Sequence, residues 1–221
     1  MLFRSRIPER YFRRFGARRG CCLIVYVESN FILEVALSQE EASAAKSILD
    51  LARLGTLELR VPSFALCEPF STISHRGREG RKLVGTLGET MRQLLRSESY
   101  RKQLQEFESV PEALARIYGQ EIDLLESTIR ELLVTAQVLQ LTRDVFEQAL
   151  EVQRTLGLSP QDAIIYASVL QDLRTNPVAE ALFVSRNYKD FSDPEILVEL
   201  GALNCEYKDS YADAIALIER H

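Results

Sequence analysis

Four acidic side chains in this sequence occupy positions from which carboxylates can gather around a metal ion. Glu28 directly follows the apolar run Cys21–Val27, and Asp190 lies in the polar turn RNYKDF after another apolar run. Asp162 stands at the start of an apolar helical segment, and Glu68 lies within another such segment. Oxygen ligands without cysteine or histidine select Mg²⁺ or Mn²⁺ over zinc. An ion held in this way makes hydroxide available near neutral pH, which suits a hydrolytic reaction.

Each of these acids, taken alone, also has a structural explanation. Ser159 and Asp162 match the cap and the third position of a helix, where a carboxylate favours the positive end of the helix dipole and the cap contributes about 0.5–2 kcal/mol. Glu28 could be solvated at a strand end, Glu68 paired within its helix, and Asp190 an ordinary turn residue. The single residues therefore leave the structural and the functional interpretation open.

The segments around the acids alternate between strand and helix, which predicts a doubly wound, mainly parallel α/β sheet flanked by helices. Continuous apolar runs rich in β-branched residues are typical of strands buried on both faces. In such sheets ligands bind beyond the carboxyl ends of the strands, where Glu28 and the turn at 186–190 are expected to lie. Strands are predicted at residues 21–27, 57–61, 136–141, 181–185 and 202–207.

A long, charged helical stretch at about residues 78–135 predicts an enlarged helical insertion within the domain. Apolar stripes within residues 85–156 could dock a partner protein or a second copy of the chain. Basic side chains, including Arg76 and Arg78, follow the helix of Glu68. They either line the path of a phosphate-rich substrate or form a solvated helix face.

Residues 1–20 form a basic arm with seven arginines and one acid, whereas acids outnumber bases in the rest of the chain. The arm lacks the apolar segment of a secretory signal. It could bind nucleic-acid phosphates, be disordered, or stand upstream of the true start. Because the folded pattern begins only at Cys21, we expect an arm without fixed structure followed by a single domain over residues 21–221.

The composition argues against several kinds of site. The four cysteines form no CxxC pair and there are only two histidines, so a zinc centre and Ser-His-acid or Cys-His catalysis are not expected. Neither a P-loop nor a GxGxxG turn is present, so no nucleotide cofactor is indicated. No apolar run approaches the ~18 residues of a membrane span. Reduced thiols are typical of the cytosol, and we expect a cytoplasmic protein.

Four segments, in chain order, resemble the signature segments of the PIN domain: YVESNFILEVAL, PSFALCEPFSTI, LSPQDAIIYASVLQDL and FVSRNYKDF. The resemblance covers roughly residues 22–215. It implies a mainly parallel α/β sheet that gathers acids around Mg²⁺ or Mn²⁺ to cut RNA, often as the toxin of a toxin–antitoxin pair. The partners that it implies are therefore RNA and an antitoxin protein.

The resemblance also implies a role for each acid. Glu28, Asp162 and Asp190 would be metal ligands, directly or through water, and Asn187 is the other candidate for the fourth position. Glu68 would be a further ligand or would orient the attacking water. The side chains expected to contact RNA are Asn30, Arg76, Arg78 and Asn187.

Three residues depart from the pattern of the family. Glu28 stands where aspartate is usual and is longer by one methylene. Asn187 stands where many members have an acid, which removes a charge and would weaken a second metal ion. Pro69, directly after Glu68, removes a backbone donor and predicts a kink in that helix. The alternative function is therefore a catalytically weak or inactive PIN-like protein that binds RNA or another protein.

Overall fold

The computed structural model describes residues 23–107 and 109–220 of the 221-residue chain. The strands are β1 Leu23–Val27, β2 Leu57–Pro62, β3 Gln137–Leu139, β4 Ala181–Val184 and β5 Cys205–Lys208. The helices are α1 Ser29–Leu37, α2 Ala42–Arg53, α3 Ser63–Leu94, α4 Glu98–Leu104, α5 Val110–Thr135, α6 Arg143–Leu156, α7 Pro160–Thr175, α8 Tyr188–Phe191, α9 Pro194–Ala202 and α10 Tyr211–Ile218. The predicted basic arm at residues 1–20 lies outside the described residues.

The five strands form one parallel sheet in the order β3-β2-β1-β4-β5, with helices flanking it. The predicted α/β fold is therefore confirmed. Strand β4 is buried throughout and β1 from its second residue, which explains why both sequences are continuously apolar. The strand order reverses between β1 and β4, and Val27 pairs with Val184. Glu28 and Ser185, the residues that follow this pair, therefore lie side by side at the carboxyl edge of the sheet.

Local capping sets the ends of the helices next to this edge. Helix α6 begins after Thr142, whose hydroxyl accepts a hydrogen bond of 3.3 Å from the Val145 N–H. It ends at Gly157, which has a φ of +69°, a left-handed conformation that glycine adopts at little cost. Helix α7 begins at Pro160, directly after its cap residue Ser159. The predicted caps at Thr142 and Ser159 are confirmed.

Helix α3 leads from the carboxyl edge of the sheet into the insertion and packs along α5. It continues as one helix through Pro69, close to its start. Close packing with α5 requires a glycine, because a Cβ at Gly80 would overlap the ring of Tyr118. Arg76 and Glu121 join the two helices by an ion pair of 2.9 Å. None of the helices that the structure describes, even these long ones, is apolar enough to cross a membrane.

Candidate acidic site

Glu28 caps helix α1 at the point where β1 ends. Its Oε2 accepts a hydrogen bond of 2.8 Å from the Asn30 N–H, and the side chain is only 3% exposed. Within the described ranges, no hydrogen-bond donor pairs with its buried Oε1. Burial raises the pKa of Glu28 to about 7, and the neighbouring charge of Glu68 adds to this rise. A carboxylate is therefore held in the interior with one of its two oxygens unsatisfied.

Glu68 lies beside Glu28 because a serine joins their helices. The hydroxyl of Ser29, the first residue of α1, donates a hydrogen bond to Glu68 Oε2 on the second turn of α3. Glu68 is partly exposed, whereas Glu28 is buried. The first two acids expected from the sequence therefore form one pair.

Asp162 is the third residue of α7 and serves as part of its cap. Its N–H donates to Ser159 Oγ at 3.2 Å, and the Ser159 hydroxyl donates to Asp162 Oδ2 at 2.5 Å. The side-chain amide of Asn187 donates to Asp162 Oδ1 at 3.0 Å. Burial raises the pKa of Asp162, and the charge of Asp190 contributes to the rise. Asp162 and Asp190 therefore form a second pair of acids, with Asn187 bound to one of them.

The turn after β4 lies between the two pairs. Ser185 is fully buried, and its hydroxyl accepts a hydrogen bond of 3.0 Å from the Asn187 N–H. The same hydroxyl opposes the rise in the pKa of Glu28. Asn187 directly precedes the short helix α8, which carries Asp190. One turn therefore contacts both Glu28 and Asp162.

The chemistry of this site fits a hard divalent cation, although the acids do not form a ready-made cluster. Over residues 23–107 and 109–220, no group of three or more aspartate, glutamate, histidine or cysteine side chains could hold a metal ion as it stands. The available donors are carboxylate and amide oxygens, which Mg²⁺ prefers. The unsatisfied Oε1 of Glu28 is the atom for which a cation would compensate.

The residues expected to contact RNA differ in their freedom to do so. Arg76 is 45% exposed but is ion-paired with Glu121, so it fastens α3 to α5. Arg78 is exposed on the same helix. Asn30 is half-buried, and its N–H is used by Glu28. RNA contact by these side chains stays a prediction.

Ser29, Ser185 and Arg186 belong to the site. All three lie within segments that resemble the PIN domain, but no role was expected for any of them. The guanidinium of Arg186 lies 3.2 Å from Glu34 Oε2 and 3.0 Å from Glu40 Oε2, so it fastens the turn after β4 to α1 and the loop that follows α1. Glu34 is buried, and an acid within the apolar stretch NFILEVAL is the signal that predicts a buried ion pair. The signals for the two serines are their places in these segments, Ser29 directly after Glu28 and Ser185 at the end of an apolar run.

A second buried acid provides a contrast to Glu28. Asp172 Oδ2 accepts hydrogen bonds from the Tyr26 hydroxyl at 2.6 Å and from Arg60 Nη1 at 2.5 Å. Asp172 Oδ1 accepts from the Asn176 amide at 2.9 Å. Both of its oxygens are therefore satisfied, as expected for a structural ion pair.

Comparison with known proteins decides which family this arrangement represents. A family model described as the PIN domain matches residues 25–191, which is more than half of the chain and includes all four acids. The chain belongs to the PIN-domain family. The resemblance of the four sequence segments is thereby confirmed. PIN domains are typically nucleases and generally use divalent metal ions. A comparison with curated proteins found no match. Strand β5 and helix α10 lie beyond the matched part of this PIN-domain protein.

Proposed function

We propose that this PIN-domain protein is an endoribonuclease that hydrolyses RNA phosphodiester bonds with Mg²⁺ or Mn²⁺ at the acidic site. The observation that carries the proposal is the buried Glu28 carboxylate, whose Oε1 has no hydrogen-bond donor among the described residues. This carboxylate lies beside Glu68 at the point where the strand order reverses, which is where doubly wound sheets bind ligands.

Electrostatics favour a cation at this position. Two carboxylates ~4 Å apart repel each other by about 4 kcal/mol at an effective dielectric constant of 20. In Glu28 burial is the main cause that raises the pKa to about 7, and the charge of Glu68 adds a smaller rise. A cation at Oε1 would replace the proton that the buried carboxyl otherwise retains near neutral pH.

The residues that would hold the ion are Glu28 and Glu68 on one side of the turn after β4 and Asp162 and Asp190 on the other. A bound cation lowers the pKa of water and stabilises the charge on the phosphate. Because the described acids stand as two pairs, binding of one ion by both pairs would require rotation of the partly exposed Glu68 and Asp190. The loss of a charge at Asn187 favours one strongly bound ion over two.

The remaining residues of the site orient these carboxylates. Ser29 fixes one oxygen of Glu68 and leaves the other to accept a hydrogen bond from the attacking water. Asn187 and Ser159 fix the two oxygens of Asp162. The Asn30 N–H fixes Glu28 Oε2, and Oε1 has no hydrogen-bond donor among the described residues.

RNA must approach a protein with more acids than bases, so local positive charge is needed near the site. Helix α3 carries Glu68 at its base and exposed basic residues further along. We propose that Arg78 contacts the phosphates there. Arg76 would contribute less, because it already neutralises Glu121.

The test is cleavage of RNA by the purified protein with Mg²⁺, Mn²⁺ or a chelator. Cleavage should require the metal, and Asp162→Asn should abolish it. The matched control is Asp213→Asn, because Asp213 is likewise a third helix residue whose N–H binds a cap serine, Ser210, at 3.3 Å. Intact RNA with both metals, together with no heat of metal binding in calorimetry, would contradict the nuclease and favour the binding module.

A toxin role is the finer form of this proposal. It requires an antitoxin protein, for which exposed apolar side chains such as Leu83, Ile117 and Leu124 on α3 and α5 offer a surface, as they also would for a second copy of the chain. Induced expression in bacterial cells should arrest growth, and Asp162→Asn should relieve the arrest. Normal growth with the wild-type protein would contradict the toxin role and leave the nuclease itself unaffected.

A further inference from the structure

The guanidinium of Arg186 bridges two carboxylates from a distant part of the chain. Its Nη1 lies 3.2 Å from Oε2 of Glu34 on α1, and its Nη2 lies 3.0 Å from Oε2 of Glu40 in the loop that follows α1. The side chain of Glu34 is 2% exposed, whereas that of Glu40 is 83% exposed. The contact with Glu34 is therefore the costlier one to break, because exposed ion pairs contribute little to stability.

The Glu34 carboxylate is also held from its other side. Its Oε1 accepts a hydrogen bond of 2.5 Å from the Glu41 N–H. The Glu41 side chain in turn accepts hydrogen bonds at the start of α10, from the Ser210 hydroxyl at 3.0 Å and from the Tyr211 N–H at 2.6 Å. Both oxygens of Glu34 are thus occupied, and α1, the loop after it and α10 hold one another in place. Glu34 is therefore a fixed anchor for the guanidinium.

Arg186 begins the turn that connects to the second pair of acids. Asn187, the next residue, donates its side-chain amide to Asp162 Oδ1 at 3.0 Å, and Asp190 lies on the short helix α8 that follows. The side chain of Arg186 therefore ties this turn to α1, the helix that Glu28 caps. The separation of the two pairs of acids depends in part on this contact.

We propose that Arg186 is a positioning residue of the acidic site, which holds the turn with Asn187 and Asp190 against α1 so that one metal ion can bind acids of both pairs. It acts through Glu34 and does not itself contact the ion. The part of the inference that concerns the metal rests on the proposed function, whereas the fastening of the turn does not depend on it.

The first test is Mn²⁺ binding to Arg186→Met by calorimetry, because methionine keeps an unbranched stem and removes the guanidinium. Residues that orient metal ligands typically change the affinity by about 10–100-fold, so this variant should bind Mn²⁺ about tenfold more weakly. Arg186→Lys keeps the charge but not the fork that reaches two carboxylates, and it should bind more tightly than Arg186→Met. A positive charge that merely lay near the site would have the opposite effect, since its removal would strengthen cation binding. An unchanged or higher affinity of Arg186→Met would overturn the proposal.

A second variant guards against a loss of folding, because Arg186→Met leaves the buried Glu34 carboxylate without its charge partner. In Arg186→Met/Glu34→Gln the glutamine is uncharged, and its amide oxygen can still accept a hydrogen bond from the Glu41 N–H. This double variant should bind Mn²⁺ as weakly as Arg186→Met, and wild-type affinity would overturn the positioning role.

The matched control is Arg174→Met. Arg174 is likewise a partly exposed arginine that joins two elements, α7 and α9, through an ion pair of 2.5 Å with Glu199. It lies about 18 Å along α7 from Asp162, at a rise of 1.5 Å per residue. Arg174→Met should bind Mn²⁺ with wild-type affinity. A loss equal to that of Arg186→Met would trace the effect to lost ion pairs in general and overturn the specific role.

The second readout is amide hydrogen exchange in the metal-free protein, which tests the fastening of the turn by itself. The reporters are the Asn187 N–H, bound to Ser185 Oγ at 3.0 Å, and the Phe191 N–H, bound to the Asn187 carbonyl at 3.1 Å. Both should exchange about tenfold faster in the double variant, because the turn opens locally. The Gly157 N–H, bound to the Gln153 carbonyl at 3.1 Å, should exchange at an unchanged rate.

Unchanged exchange at the two reporters would overturn the fastening of the turn by the ion pair. If the wild-type protein binds no Mn²⁺, the proposed function fails together with the part of the inference that concerns the metal. The exchange rates then still decide whether Arg186 holds the turn against α1.

Discussion

Replacing Glu28 by glutamine should raise the free energy of unfolding of the metal-free protein at pH 8. Folding places this carboxyl in the interior and raises its pKa from the usual 4.5 to about 7. This rise corresponds to roughly 3 kcal/mol, since one pH unit is worth 1.36 kcal/mol. Glutamine is almost isosteric with glutamic acid and carries no charge, so it removes the penalty.

The sign of the pH dependence follows from which state holds the proton more tightly. Because the folded state has the higher pKa, the contribution of Glu28 to stability is fully present below pH 4.5 and is lost as the pH rises through about 7. The wild-type protein and Glu28→Gln should therefore have similar stability at low pH. They should differ by up to roughly 3 kcal/mol at pH 8, with the variant the more stable.

Urea unfolding with a chelator present measures this difference, since the pH dependence of all other groups is common to both proteins. The matched control is Glu34→Gln, because Glu34 is equally buried but paired with Arg186. This substitution should lower the stability at pH 8.

Adding Mg²⁺ at ~100 times its dissociation constant should stabilise the wild-type protein by about 2.7 kcal/mol and leave Glu28→Gln nearly unchanged. Equal stability of wild type and Glu28→Gln at both pH values would refute the reasoning.

The other predictions concern packing and capping. Asp172→Asn should cost about 3–5 kcal/mol in urea unfolding, because it removes the buried charge that pairs with Arg60 and leaves Arg60 only the more exposed Glu58. An unchanged midpoint would contradict this. Gly80→Ala should cost about 1–3 kcal/mol because its Cβ overlaps Tyr118. The control Gly85→Ala should gain about 0.5–1 kcal/mol, since a Cβ there meets open space in the described part of the chain, and equal effects of the two would disprove the contact. Ser159→Ala and Ser210→Ala each remove a helix cap and should each lower the free energy of unfolding by about 1 kcal/mol. Only Ser159→Ala should also slow RNA cleavage. Equal cleavage by both variants would show that Ser159 acts only as a cap.

The sequence predicts the fold because its signals are local. The apolar runs before Glu28 and Arg186 and the caps at Thr142 and Ser159 each depend on a few neighbouring residues. The rule that ligands bind at the carboxyl edge of a parallel sheet then places Glu28 near the turn after β4 without knowledge of the strand order.

The side-chain partners of the site are not predictable from the sequence, because they depend on contacts between distant segments. Arg76 is expected to face RNA, yet the packing of α3 against α5 brings it to Glu121. Tyr211 packs against Phe31 only because α10 follows the last strand of the sheet and returns to α1. The division of the acids into two pairs likewise follows from helix packing and not from their spacing.

The most direct measurement of the central claim is the location of Mn²⁺ by anomalous diffraction from crystals grown with the ion. We predict a peak at bonding distance from Glu28 Oε1, with at least one further carboxylate among Glu68, Asp162 and Asp190 in contact. A map from well-ordered crystals without a peak at Glu28, or with Mn²⁺ bound only elsewhere, would contradict the account.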